Sequence, residues 1–101
     1  MILKELPIVC TLGPATLAAR KANLLPALAK RALGHEEMPD GLQFHFAADD
    51  LSAVAATIDQ ERQCCRFLQF EVRVEADGGP VFLALTGPPG TREFLLAMIE
   101  G

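Results

Sequence analysis

Three short stretches of this chain alternate apolar and polar residues one by one, and that alternation restricts the fold more than any other feature. Leu42, Phe44 and Phe46 are separated by Gln43 and His45. Leu68, Phe70, Val72 and Val74 are separated by Gln69, Glu71 and Arg73. Period two puts each apolar set on one face of a strand, half buried and half solvated. A third run, Val81-Phe82-Leu83-Ala84-Leu85, follows Asp77-Gly78-Gly79-Pro80 closely enough to return as the second arm of a hairpin, the glycines supplying positive φ. Sheets with one apolar face need a second layer to cover it.

The segments between these strands read as that layer. Residues 15–33 are rich in Ala and Leu, with Leu17, Leu24, Leu28 and Ala32 near one helical face. Pro26 interrupts this segment, because an interior proline removes a backbone donor and clashes with the preceding turn, so a kink or a fresh start is expected there. Gly34 ends the element, and residues 35–41 read as a polar loop. A second helix is expected from Asp49 or Asp50, either carboxylate serving as its cap, to about Arg66. Its inward side is Leu51, Val54, Ala55, Ile58 and Cys65 at ~100° per residue. After the Gly87-Pro88-Pro89-Gly90 turn, Thr91 is placed to cap a closing helix with Phe94, Leu95 and Met98 inward. Pro7-Ile8-Val9-Cys10-Thr11-Leu12 is an edge strand or an extended arm.

A strand-helix-strand unit implies a parallel crossover, and the hairpin adds an antiparallel neighbour. The expected architecture is therefore α+β: a two-layer sandwich, with a mixed sheet of three to four strands and helices packed on one face. With 101 residues, half of them hydrophobic, the chain is read as one domain over 1–101.

Charge narrows the partners. A net charge of −4 with no basic run argues against nucleic acid, which demands a cationic face, and against an anionic membrane surface. No stretch approaches the ~20 apolar residues of a membrane span. Residues 6–19 are mostly apolar, but Glu5 beside Lys4 and the breakers Pro7, Gly13 and Pro14 argue against a secretory leader. Val9 before Cys10 argues against a lipoprotein anchor. Three cysteines, an odd number, fit a reducing cytoplasm better than a disulfide scaffold.

Two of those cysteines adjoin, in Glu61-Arg62-Gln63-Cys64-Cys65-Arg66-Phe67-Leu68. On a helix Cys65 shares the inward side, Cys64 lies ~100° away toward the flank, and Glu61 is within one turn of both. Arg62 and Arg66 flank the pair and would favour the thiolate, the form that binds metals and attacks electrophiles. The competing reading makes both cysteines small apolar fillers of a packed junction. Cys64, off the apolar face, weighs against it.

Vicinal cysteines are not the Cys-x-x-Cys of redox centres or paired zinc sites. Two thiolates and a third suit a thiophilic ion: Zn, Cu, Hg or trivalent As. Cys10 is the remaining cysteine that could supply that sulfur. His45, on the polar side of its strand, is read as a surface histidine before a ligand or base. His35 sits in the loop beside Glu36 and Glu37, and Arg20 is a candidate ion-pair partner for Glu61.

Glu61-Arg62-Gln63-Cys64-Cys65-Arg66-Phe67-Leu68-Gln69-Phe70, followed by Leu83-Ala84-Leu85-Thr86-Gly87-Pro88-Pro89-Gly90, resembles a family of small uncharacterised bacterial proteins. Their shared pattern is Glu-Arg-x-Cys-Cys-x-Phe-Leu-x-Phe, then Leu-x-Leu-x-Gly-Pro-x-Gly. Cys10-Thr11-Leu12 and Arg20 also match, and Pro88-Pro89 is a small departure. The resemblance implies that Cys10, Glu61, Cys64 and Cys65 belong together, and it associates the chain with heavy-metal or metalloid resistance.

The functional expectation is a cytoplasmic soft-metal or metalloid binding protein with Cys10, Cys64 and Cys65 as sulfur ligands and Glu61 as a neighbouring acceptor. Its partner would be a metal ion or a small thiol-reactive ligand. A thiol-disulfide enzyme with Cys64 attacking is the alternative. A structural module that forms a homodimer is the third reading.

Overall fold

The computed structural model describes residues 25–100. Among them are three α-helices and a four-stranded sheet, an α+β fold as expected. The helices are α1 (Leu25–Arg31), α2 (Leu51–Cys64) and α3 (Thr91–Glu100). The strands are β1 (Gly34–Met38), β2 (Gly41–Phe46), β3 (Gln69–Val74) and β4 (Val81–Thr86), in the order β1-β2-β4-β3. The arm at Pro7–Leu12, the first part of the early helix, Cys10 and Arg20 lie outside the described residues.

The sheet departs from the mixed arrangement in one respect. The strands on either side of α2 do run parallel to each other, since both β2 and β3 are antiparallel to β4. They are not neighbours, however. The tight turn returns β4 directly alongside β3, and β4 slots between β3 and β2, so every hydrogen-bonded pair is antiparallel. Burial explains the choice: Val81, Leu83, Ala84 and Leu85 are all buried, and only a central strand can bury both of its faces. At the turn, Asp77 and Gly78 both take positive φ (59° and 66°), the twist that joins tightly paired strands.

Residues 35–41, read as a polar loop, belong mostly to β1. His35, Glu36 and Glu37 pair with Phe44, Gln43 and Leu42. Among the described residues this strand is an edge, solvated through most of its length, which frees it from a hydrophobic pattern. Gly41, which opens β2, has no room for a side chain. A Cβ there would stand 1.8 Å from the Leu85 carbonyl oxygen.

Cross-strand rows line the helix side of the sheet: Leu42–Leu85–Phe70, Phe44–Leu83–Val72 and Phe46–Val81–Val74. Leu25 and Leu28 of α1, Val54 of α2 and Leu95 of α3 close over the β2 and β4 part of those rows. Burying each such side chain is worth ~1.5–3 kcal/mol. The opposite face carries Gln43, His45, Phe82, Glu71 and Arg73.

Several local expectations are corrected. α1 ends at Arg31, before Leu33, whose N–H bonds the His45 carbonyl (2.7 Å) and starts the sheet instead. Pro26 is the second residue of α1, and the segment before it lies outside the described residues. Asp50 precedes α2 but makes no side-chain cap; its Oδ1 accepts from Arg31 (Nη2 at 2.8 Å), tying the end of α1 to the start of α2. Thr91 is buried, and its hydroxyl donates to the Pro88 carbonyl at 2.6 Å.

Candidate thiol site

The site is built where α2 stops. Val54, Thr57 and Glu61 recur at helical spacing on the face that α2 turns to the core, with Ile58 half-buried beside them. Leu51 and Ala55, expected on that face, are exposed. The buried stripe is thus rotated toward Thr57 and Glu61. α2 ends at Cys64, two residues short of the expected Arg66. Cys65 leaves the helix at φ −101° and ψ 76°, yet its N–H still bonds the Glu61 carbonyl at 2.6 Å. A turn follows, with the Leu68 N–H on the Cys65 carbonyl (3.1 Å), and feeds β3.

That last helical bond holds Cys65 over Glu61. The Cys65 thiol donates to Oε1 of Glu61 at 3.5 Å. Cys65 is 1% exposed and Glu61 2%. A carboxylate is rarely this buried without strong polar contacts. The spacing of Val54, Thr57 and Glu61 was the available signal for its inward position.

Phe67 fixes the turn from the other side. Its ring meets Phe94 of α3 edge-on, centroids 5.2 Å apart at 81°. The Gly87-Pro88-Pro89-Gly90 turn presses on the same place: a Cβ on Gly87 would come within 3.0 Å of the Phe67 carbonyl oxygen and 2.6 Å of Thr91 Oγ1. The two sequence motifs therefore meet in space, the glycine-proline turn packing against the cysteine turn.

Among the expected ligands, Cys65 and Glu61 are brought together. Cys64 is the last residue of α2, and Cys10 lies outside the described residues. Among the described residues no group of three or more His, Cys, Asp or Glu side chains converges to hold a metal. Arg62 is turned along the helix surface toward Asp59 (3.5 Å), and Arg66 is exposed. His45 stands on the opposite face of the sheet, its ring 6.0 Å from that of Phe82. His35 lies against Phe44 at the β1 edge, centroids 5.6 Å apart.

Among the described residues no helix is long and apolar enough to cross a membrane. Comparison with known protein families, with curated proteins and with solved structures finds no match to this chain.

Proposed function

We propose that this chain is a cytoplasmic binding protein for a thiophilic metal or metalloid ion, with Cys65, Cys64 and Cys10 as sulfur donors and Glu61 beside them. The observation that carries the reading is the Cys65–Glu61 contact. Two ligands of one tetrahedral ion, at ~2.3 Å for sulfur and ~2.1 Å for oxygen, stand about 3.6 Å apart. The 3.5 Å between Cys65 Sγ and Glu61 Oε1 is that spacing. A bound ion would replace the thiol proton between the two side chains, and the carboxylate is a ready acceptor as the thiol ionises. Sulfur favours soft ions over magnesium or calcium.

Titration of the full chain with Zn(II), Hg(II) and arsenite, followed by isothermal calorimetry and by proton release, tests the reading. One equivalent of one of these ions should bind with release of protons, and Glu61→Gln should weaken it while leaving the stoichiometry unchanged. Binding no tighter than that of a Cys64→Ser, Cys65→Ser variant would reject the proposal and leave the thiol as part of a structural junction.

A further inference from the structure

Among the described residues β3 has a hydrogen-bonded neighbour, β4, on one side only. It is a six-residue strand, and its helix-side residues lose cover toward the end: Phe70 is half-buried, Val72 is 40% exposed and Val74 is 54% exposed. An edge strand that leaves apolar side chains uncovered can template pairing with another strand. The other edge, β1, is guarded by adjacent acids, Glu36 and Glu37, whereas β3 alternates its charges as Glu71, Arg73, Glu75 on the open face.

We infer that two copies of this chain join edge to edge through β3, antiparallel, about a two-fold axis at Val72. Side chains directly opposite in an antiparallel pair share a face, so a symmetric pairing must centre on a residue. Centring on Val72 sets Glu71 against Arg73 of the second copy, twice, and Phe70 against Val74, twice. One face then carries an unbroken apolar row, Phe70, Val72 and Val74 from each copy. On the other, Arg73 lies between Glu75 of its own strand, already 2.7 Å from its Nε, and Glu71 of the second copy.

The neighbouring registers are worse for a stated reason. Centring on Glu71 puts that carboxylate opposite itself. Centring on Arg73 puts Arg73 opposite itself and Glu71 opposite Glu75. Centring on Val74 sets Arg73 against Glu75, but it reaches past β3 into the turn and puts Glu71 opposite Asp77. Like charges face to face oppose pairing and unlike charges favour it, so Val72 is the centre that sets unlike charges opposite each other within β3 and no like charges. The Arg73 guanidinium is held over the Phe82 ring at 4.3 Å, which presents it on this face. The pairing uses nothing of the thiol site, and either can fail without the other.

Sedimentation equilibrium of the full chain tests the inference. The wild type should be a dimer. Glu71→Arg and Arg73→Glu should each weaken it at least about tenfold, because each turns both cross-strand pairs repulsive. Mixing the two variants should restore a dimer, since every Arg at 71 or 73 then faces a Glu. Val72→Lys, an exposed change, should dissociate the dimer with the fold retained by circular dichroism. A monomeric wild type, whether alone or awaiting another protein's strand, would overturn the inference. So would a mixture that stays monomeric, or single variants that dimerise as well as the wild type.

Discussion

The thiol of Cys65 and the carboxylate of Glu61 are joined at 3.5 Å inside the protein, four residues apart and on either side of a helix end. Their burial makes the pair a stability element whatever it binds. Cys65→Ala should cost about 1–3 kcal/mol, from a small cavity and a lost donor to a buried acid. Urea denaturation would measure it, with the slope unchanged. In a double-mutant cycle with Glu61→Gln, the two changes should fall short of additivity by about 0.5 kcal/mol or more. Full additivity would mean the contact carries no energy of its own.

Gly41 and Gly78 should respond to alanine very differently. At Gly41 the new methyl would meet backbone, the Leu85 carbonyl oxygen at 1.8 Å, where β2 lies against β4. No rotamer relieves that, so Gly41→Ala should cost about 3 kcal/mol or more, or prevent folding. At Gly78 nothing lies within 4 Å, and the only penalty is positive φ (+66°). Gly78→Ala should cost about 1 kcal/mol, read as a modest drop in thermal midpoint. Equal losses at both sites would contradict the packing described.

Thr91 is fully buried, and its hydroxyl is committed to the Pro88 carbonyl at 2.6 Å. Thr91→Val keeps the shape and removes the bond. The expected loss is about 1–2 kcal/mol, with Thr91→Ser nearer the wild type in hydrogen bonding but short of a methyl. Amide hydrogen exchange should quicken first in the residues around Gly87 and in the opening turn of α3, where Phe94 bonds the Gly90 carbonyl. Unchanged protection there would place the turn's rigidity elsewhere.

Acid titration should reveal Glu93. Its carboxyl is held below the usual value of 4.5, chiefly by a hydrogen bond from its own backbone amide and then by the Arg92 guanidinium. A carboxylate whose pKa is lowered by folding stabilises the protein above its unfolded pKa and loses that contribution as pH falls through the folded one. Glu93→Gln should therefore be less stable than wild type at neutral pH, by a small amount because the group is solvent-exposed, and equal to it at pH well below 4.5. A difference that persists in strong acid would point to packing rather than charge.

Much of the fold was legible because alternation and helical spacing are local. Leu42 to Phe46, Phe70 to Val74 and Val81 to Leu85 all lie in strands. β1 was not legible. Glu36 and Glu37 look like loop residues, and only pairing with β2 makes them a strand. The cap expected from Asp50 failed for a related reason: its Oδ1 has a competing partner, Arg31, brought near by folding. At the site, the four-residue spacing of Glu61 and Cys65 was readable, while the complete burial of the acid was not.

The amino-acid order alone determined, β1 apart, which segments extend and which coil into helices, and it placed the main turns and the adjoining thiols. These follow from side-chain alternation, proline and glycine, each acting within a few residues. Only the tertiary structure decided that β4 lies between β2 and β3, that the glycine-proline turn rests on the cysteine turn, and that Glu61 is sealed in with Cys65. Those outcomes depend on which apolar surfaces remain to be covered once every element competes for the same core, a sum over the whole chain that no short stretch contains.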